Sequence, residues 1–253
     1  MTYPSGLSRE EAATLAQQFG VAVEQVHRDH LISSILAALQ THAADLIFFG
    51  GTALARTYLP AGRLSEDIDL IAVTDRRPLA RGISATIERA LRVTHGRVRW
   101  TVALADIRDV EPASLVTADG LMVRVQLLSA HGYPPWPTAV HDIDQRYSDI
   151  APTRLRTPVR DSFAAWKTAA WFERHAPRDL FDLWALALNG ALTTSAAQLF
   201  ATHTGLGPPQ AHMFSHAPAA QDWQDQLSGQ TRLSVGPEEA LQVVRSAWTA
   251  ASS

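Results

Sequence analysis

The chain contains no cysteine among its 253 residues. This absence excludes disulfide frameworks, thiol nucleophiles and zinc sites with cysteine ligands. No apolar run reaches the roughly 18 residues that mark a membrane-spanning helix, and the first 30 residues lack the apolar core of a secretory signal peptide. We therefore expect a cytoplasmic protein with no membrane association.

Lysine is almost absent as well, because Lys167 is the single lysine beside 21 arginines. Arginine presents a planar fork of donors, whereas lysine presents a compact point charge on a flexible stem. The lone lysine is either an ordinary surface residue or a position that requires a point charge, such as a phosphate contact. Composition alone leaves both interpretations open.

The net charge of −3 argues against a strongly basic nucleic-acid-binding protein, but the charges are unevenly distributed. Residues 76–108 carry a net charge of +6 and residues 146–178 carry +4, while the segments around them are acidic. This pattern is compatible with phosphate-binding surfaces beside an acidic site. It is also typical of ordinary solvated helix faces.

The apolar pattern changes from strand-rich to helical along the chain, and 46% of the residues are hydrophobic, enough for a buried core. Apolar runs predict strands at 46–49, 67–73, 97–105 and 121–128. Helical spacing predicts helices after the Ser8–Glu11 capping box, through Leu31, Ile35 and Leu39, and at 52–59, 79–93, 162–174, 179–188 and 238–250. A loop with Gly132, Pro134, Pro135 and Pro137, followed by two prolines within 151–158, separates the two halves. The sequence therefore predicts an α/β domain over 1–150, with N-terminal helices, and a helical domain over 151–253.

Asp67 and Asp69 form the most informative pair of acidic residues. They lie two positions apart on a predicted strand, so both carboxylates project from one face. Two adjacent carboxylates repel each other unless a cation lies between them, and this arrangement suits Mg²⁺ bound to a nucleoside triphosphate. Gly50 and Gly51 end the preceding predicted strand, where backbone N–H groups can approach phosphate oxygens.

The pair Asp142 and Asp144 has the same spacing and serves as an internal comparison. It has no Gly-Gly strand before it and lies in a proline-flanked region. We therefore interpret this second pair as structural. The first pair differs because strand, Gly-Gly-Thr, helix and acidic strand follow in order.

These two segments together resemble the nucleotidyltransferase superfamily, and within it the AbiEii/AbiGii toxin family that includes the mycobacterial MenT toxins. The first half of the resemblance lies in Gly50, Gly51, Thr52, Leu54, Arg63, Ser65, Asp67, Asp69 and Leu70. The second half lies in Lys167, Arg174 and the run Arg178-Asp-Leu-Phe-Asp182-Leu. The lone lysine of the chain therefore coincides with the lysine of the family motif.

The resemblance implies an α+β fold, in which a polymerase-β-type nucleotidyltransferase domain, a mixed sheet with flanking helices, precedes a helical C-terminal domain. It implies that Asp67 and Asp69 bind Mg²⁺ or Mn²⁺ and act in catalysis with Lys167 and Asp182. The residues expected to bind the nucleoside triphosphate are Gly50, Gly51, Thr52, Arg63, Ser65 and Arg174. Asp179, at the start of its predicted helix, is expected to be structural, for example as a helix cap.

The resemblance also implies an acceptor and a partner. The acceptor is the 3′ end of tRNA, so that transfer of a nucleoside monophosphate blocks aminoacylation, translation and growth. The partner is a cognate antitoxin protein.

One position departs from the polymerase-type pattern. Gln126 lies where a third carboxylate is expected on the neighbouring strand, and a neutral amide holds a metal poorly. Either a second metal is held weakly, or Asp182 contributes, or the enzyme is impaired, and the last case would leave a module that binds RNA or a partner. A nucleotidyltransferase that modifies a protein or small molecule is a separate alternative.

Overall fold

The computed structural model describes residues 6–131, 133 and 135–251. The chain divides into two compact units, Met1–Tyr133 with Thr138–Thr157, and Pro134–Pro137 with Pro158–Ser253. Gly132 and Pro134 of the predicted loop lie outside the described residues. The domain boundary at 150/151 stays a prediction.

Unit 1 combines a mixed sheet with helices. Its helices are α1 (Arg9–Phe19), α2 (Val23–Leu39), α3 (Gly50–Ala55) and α4 (Arg76–Thr94), with a 3₁₀ helix at Gln40–His42. Its strands are β1 (Leu46–Phe49), β2 (Asp67–Ala72), β3 (Arg99–Trp100), β4 (Ala113–Val116), β5 (Met122–Ser129), β6 (Thr138–Ile143) and β7 (Thr153–Pro158). The predicted α+β class with a mixed sheet is confirmed.

The main sheet has the strand order β1-β2-β5-β4-β3. Strands β2 and β5 are parallel, and the pairs β1–β2, β4–β5 and β3–β4 are antiparallel. Strand β2 therefore has β5 beside its whole length and β1 on its other side from Asp69 to Ala72. Strands β6 and β7 form a separate two-stranded sheet.

Helices α2 and α4 pack against each other and against β5. The apolar stripe of α4 recurs at helical spacing through Leu79, Ile83, Ile87 and Leu91, all buried. The opposite side of α4 is exposed and basic. The amphipathic pattern thus orients this helix on the sheet.

A buried ion-pair network fixes the end of α3. The guanidinium of Arg56 is fully buried, pairs with the Asp29 carboxylate at 2.9 Å and donates to the Asp144 carbonyl at 2.7 Å. Arg146 donates to the same Asp29 carboxylate at 3.2 Å and to the Ala55 carbonyl at 2.6 Å. Burial and the nearby Arg146 charge lower the pKa of Arg56 to about 10. Helices α2 and α3 are therefore joined through charges that have little access to water.

Unit 2 is helical. Its helices are α5 (Arg160–Arg174), α6 (Pro177–Leu188), α7 (Thr194–Thr204), α8 (Ala220–Leu227) and α9 (Pro237–Ala251), with a 3₁₀ helix at Ala211–Phe214. Helix α5 packs against α6 and α7, and α6 packs against α8 and α9. Trp171 and Trp248 are buried in this core, and the Trp171 indole N–H donates to the Met213 carbonyl at 2.9 Å. Across the described ranges, no helix combines the length and apolar character needed to cross a lipid bilayer.

Several elements follow the sequence-based prediction and several differ from it. The capping box is confirmed, because the Ser8 hydroxyl accepts from the Glu11 backbone N–H at 3.1 Å. The helix predicted at 52–59 begins earlier, at Gly50, and ends at Ala55. The strand predicted over 97–105 is reduced to two residues, and β4, β6, β7, α7 and α8 were not predicted.

Candidate active site

Strand β2 presents Asp67 and Asp69 on the same face of the sheet. Ile68 and Leu70 between and after them are fully buried, whereas both aspartates are partly exposed. This alternation follows from the two-residue period of a strand. The two carboxylates thus lie where a ligand can reach them, on a strand whose backbone is held from both sides.

Gly50 is required by the position of Asp69. Its φ is +76°, a conformation that side chains rarely adopt, and a Cβ at this position would lie 3.0 Å from the Asp69 carboxyl carbon and overlap one carboxylate oxygen. Phe49, just before it, lies opposite Asp69 in the β1–β2 register. A glycine is therefore needed at position 50, because the Asp69 carboxylate packs closely over the backbone there. The predicted contact between Gly50 or Gly51 and phosphate stays a prediction.

Thr52 fastens α3 to the start of β2. The residue is buried, and its hydroxyl donates to the backbone carbonyl of Asp67. Arg63 and Ser65, in the segment that leads into β2, are also buried. Thr52 thus supports the strand that carries the acid pair. Contact of Thr52, Arg63 and Ser65 with a nucleotide stays a prediction.

Arg124 is a site residue that the sequence reasoning missed. It lies opposite Asp67 in the parallel β2–β5 register, and its Nε and Nη2 donate to the two Asp67 carboxylate oxygens at 2.7 and 2.8 Å. This hydrogen bonding, together with the Asp67 charge, raises the pKa of Arg124. Arg124 therefore neutralises the Asp67 carboxylate and competes with a cation for its oxygens.

Gln126 lies opposite Asp69 in the same register, at the position expected for a third carboxylate. Its side-chain amide donates to the Val110 carbonyl at 2.6 Å. Among the described residues, no group of three or more acidic or histidine side chains is placed to hold a metal ion. Two carboxylates still fit one Mg²⁺, because this ion commonly takes one or two carboxylates and completes its shell with phosphate oxygens and water.

Unit 2 contains a second group of predicted site residues. Lys167 and Arg174 lie seven residues apart on one face of α5, and Asp179 and Asp182 lie three residues apart on α6. The Lys167 amine contacts Asp179 Oδ1 at 3.0 Å and Asp182 Oδ2 at 2.7 Å. Arg174 donates to both oxygens of Asp179 at 2.6 and 2.9 Å. Packing of α5 against α6 thus unites three predicted residues, Lys167, Arg174 and Asp182, with Asp179.

Asp179 is the centre of this cluster and does not cap α6, which was one structural role that its position suggested. The N-cap residue is Ala176, and Asp179 lies within the first turn with its carboxylate bound by Lys167 and Arg174. Asp179 is fully buried, which by itself would raise its pKa, but the charges of Lys167 and Arg174 lower the pKa to about 2. The carboxylate is therefore ionised throughout the physiological range, and the four charges of the cluster balance.

Comparisons with known proteins identify the family and the fold. The sequence profile of the AbiEii family, described as nucleotidyl transferase AbiEii toxin of a type IV toxin–antitoxin system, matches residues 34–247. No curated protein is similar to the chain by sequence. The crystal structure of a candidate nucleotidyltransferase from H. pylori has the same fold, with a TM-score of 0.56 and 16% identity over 91% of this chain and 95% of that one.

The family match covers the strand with Asp67 and Asp69, the glycine turn against which Asp69 packs, and the buried Lys167 cluster. The fold match covers nearly the full length of both chains. The chain therefore belongs to the AbiEii family of nucleotidyltransferase toxins of type IV toxin–antitoxin systems.

Proposed function

We propose that this chain is a cytoplasmic, divalent-cation-dependent enzyme that transfers a nucleoside monophosphate from a nucleoside triphosphate to the 3′ end of tRNA. Transfer there blocks aminoacylation and so inhibits translation and growth. The observation that carries the proposal is the pair Asp67 and Asp69 on one face of β2, with Asp69 packed over the Cα of Gly50. The family adds a cognate antitoxin as the partner that controls this activity.

The chemistry requires a hydroxyl oxygen of the acceptor to form a bond to the α-phosphorus. The bond between the α-phosphorus and the bridging oxygen breaks, pyrophosphate leaves, and the hydroxyl proton is lost to solvent. Mg²⁺ or Mn²⁺ on Asp67 and Asp69 would supply neutralisation of the charge that develops on the transferred group. The two carboxylates provide a fixed, pre-aligned anionic face, because β2 is paired on both sides.

Binding of the triphosphate is proposed for Gly50, Gly51, Thr52, Arg63, Ser65 and Arg174. Lys167 and Asp182 are proposed as catalytic residues. The support in unit 2 is the burial of an amine between two carboxylates, an arrangement that a surface lysine does not need. An arginine at position 167 would bring a wider, planar group into a space built for a point charge.

A binding module without catalysis is the second candidate, and two contacts favour it. Gln126 occupies the third-carboxylate position with its amide directed to Val110, and Arg124 holds Asp67 in a bidentate ion pair. Both features weaken a metal site relative to three carboxylates. Transfer to a protein or small molecule is the remaining alternative within the enzyme class.

The deciding experiment incubates the purified protein with each labelled nucleoside triphosphate and either total tRNA, tRNA-depleted RNA or cell protein. Each reaction is run with Mg²⁺, with Mn²⁺ and with EDTA. We expect label in tRNA only, and its transfer should depend on the cation. The transfer rate should fall by about 10²- to 10³-fold in Asp67→Ala and Asp69→Ala. Asp142→Ala, which removes an exposed acid of the same spacing, is the matched control and should keep full activity.

Three outcomes would contradict the proposal. Label in protein would identify a different acceptor class. Full activity of Asp67→Ala or Asp69→Ala would remove the acid pair from the site. Absence of transfer to any acceptor, with RNA binding retained, would establish the binding module.

A further inference from the structure

Helix α4 carries an exposed face made largely of arginine. Arg77, Arg81, Arg89 and Arg92 are all exposed, and we call these four side chains the arginine face. At about 100° per residue they fall within an arc of roughly 120°. The buried apolar stripe of the same helix lies on the other side. The face is therefore a continuous surface, and its length from Arg77 to Arg92 is about 22 Å at 1.5 Å per residue.

The four guanidinium groups have no partner in the part of the chain that the structure describes. None of them makes an ion pair or a side-chain hydrogen bond with any residue that the structure describes. Arg76, on the same helix, is engaged by contrast: it donates to the Leu127 carbonyl at 2.6 Å and pairs with Asp109 at 3.2 Å. Arg76 is thus part of the fold, while the next four arginines of the helix are turned to solvent.

The charge of this face is unusual for the chain. Helix α4 contains five arginines and a single acid, Glu88, although the chain as a whole has a net charge of −3. Arg77 and Arg81 lie at i and i+4, a spacing at which like charges destabilise a helix slightly. A surface that retains unpaired, mutually repelling cations is suited to an anionic ligand.

We infer that the arginine face binds the phosphate backbone of the acceptor RNA. The inference rests on the proposed function and adds the surface on which the acceptor docks. Guanidinium groups bind phosphate with paired, charge-assisted hydrogen bonds. A protein partner would need a large apolar or aromatic centre in its interface, but the other exposed residues within the arc are Pro78, Ala85 and Glu88, and none of them is a large apolar or aromatic side chain. RNA therefore fits this face better than an acidic protein does.

The acid pair and the arginine face lie within reach of one RNA molecule. Asp75, the N-cap residue of α4, follows Asp69 by six residues, so their Cα atoms are separated by at most about 20 Å. An acceptor whose terminal hydroxyl lies at Asp69 can continue towards α4 through its backbone. Phosphate contacts fix register without reading sequence, so this face should not distinguish one tRNA from another.

The test replaces Arg77, Arg81, Arg89 and Arg92 together by glutamine, an adequate helix former that removes only the charge. The protein is titrated into fluorescently labelled tRNA, and binding is measured by anisotropy at salt concentrations between 50 and 200 mM. Four phosphate contacts predict that wild-type affinity falls roughly 50- to 150-fold over this range, and the variant should lose most of that dependence. The KM for tRNA should rise, while the KM for the nucleoside triphosphate and kcat at saturating tRNA stay unchanged.

Two controls separate this face from net charge. A second variant replaces four exposed arginines outside α4 by glutamine: Arg9, Arg108, Arg232 and Arg245. This variant should bind tRNA like the wild type. Glu88→Gln removes the acid on the face and should tighten tRNA binding and lower the KM for tRNA. Circular dichroism checks that each variant is folded. Two further variants replace both Arg77 and Arg81, or both Arg89 and Arg92, by glutamine, and each should show about half of the effect on the salt slope.

The inference is overturned if the quadruple variant keeps the wild-type salt slope and KM for tRNA. It is also overturned if the variant binds tRNA normally but no longer binds the antitoxin, which would assign the face to an acidic protein. If the wild-type protein transfers label to no RNA, the proposed function fails and this inference fails with it. Transfer by the wild type with no effect of the variant leaves the proposed function intact and refutes the docking surface alone.

Discussion

Gly50→Ala is the substitution that most directly tests how the site is built. The new methyl group meets the Asp69 carboxylate, since its Cβ would lie 3.0 Å from the carboxyl carbon and overlap an oxygen. The backbone of residue 50 must also keep a φ of +76°. The substitution therefore combines a conformational cost with displacement of a carboxylate that we place in catalysis.

Each part of the cost has a known size. An L-residue with positive φ loses roughly 1–2 kcal/mol relative to glycine, and a forced overlap in a packed region costs typically 1–3 kcal/mol. Together they predict that Gly50→Ala lowers the free energy of unfolding by about 2–5 kcal/mol. The reduced entropy of the unfolded chain offsets a part of this, about 0.4–1 kcal/mol.

Gly96→Ala isolates the conformational part. Gly96 has a φ of +70°, and a Cβ there meets nothing within 4 Å. The Gly96→Ala control should be destabilised only by the cost of positive φ. Its change in the entropy of the unfolded chain equals that of Gly50→Ala. The difference between the two variants, roughly 1–3 kcal/mol, measures the contact with Asp69.

Urea unfolding followed by tryptophan fluorescence, together with the transfer assay, provides both readouts. We expect Gly50→Ala to lose transfer to the extent that Asp69→Ala does, and Gly96→Ala to keep it. The double variant Gly50→Ala/Asp69→Ala should be more stable than the sum of the single effects predicts, because the overlap is gone. Equal stability of Gly50→Ala and Gly96→Ala, with normal transfer in both, would refute the reasoning.

Three further predictions concern buried charges. Lys167→Arg should lower the transfer rate at least tenfold, because a planar fork replaces a point charge between Asp179 and Asp182; a wild-type rate in the transfer assay would contradict this. Asp179, whose pKa falls from 3.8 to about 2, should contribute roughly 2 kcal/mol of stability above pH 4, and this contribution is lost as the pH falls through 2. Urea unfolding at pH 5, 3.5 and 2 measures it, and Asp179→Asn should remove that pH dependence. Burial and the nearby charge of His30 lower the pKa of His95 from 6.5 to about 4, so the unfolded chain binds the proton first. Stability should therefore fall by about 3 kcal/mol between pH 6.5 and 4, and His95→Gln should flatten this decrease; an unchanged pH profile in the variant would exclude His95 as its source.

Local patterns were enough to predict the acid pair. The alternation of Asp67 and Asp69 with Ile68 and Leu70 is a property of the strand itself, and β2 confirms it. The amphipathic period of α4 and the capping box at Ser8 are equally local. Features of this kind depend on residues within one or two turns or strand repeats, so they can be read before the fold is known.

The elements that were missed have weak local signals. Helix α7 begins and ends with threonine and contains three of them, a residue with low helix propensity. In strand β6 the residue types do not follow the alternation of burial, because apolar Val140 is exposed while polar His141 lies on the more shielded side. In both cases the surrounding contacts, rather than the intrinsic preference of the segment, stabilise the observed structure.

Only the tertiary structure decided which charges meet. Arg124 neutralises Asp67 because β5 pairs with β2 in one particular parallel register, and a shift by one residue would turn Arg124 to the other side of the sheet. Asp179 was expected to be structural, for example as a helix cap, but packing of α5 on α6 brings its carboxylate into contact with Lys167 and Arg174. Register and helix packing are set by contacts between residues far apart in the chain. The residue types of this site could therefore be found from the sequence, but their pairing could not.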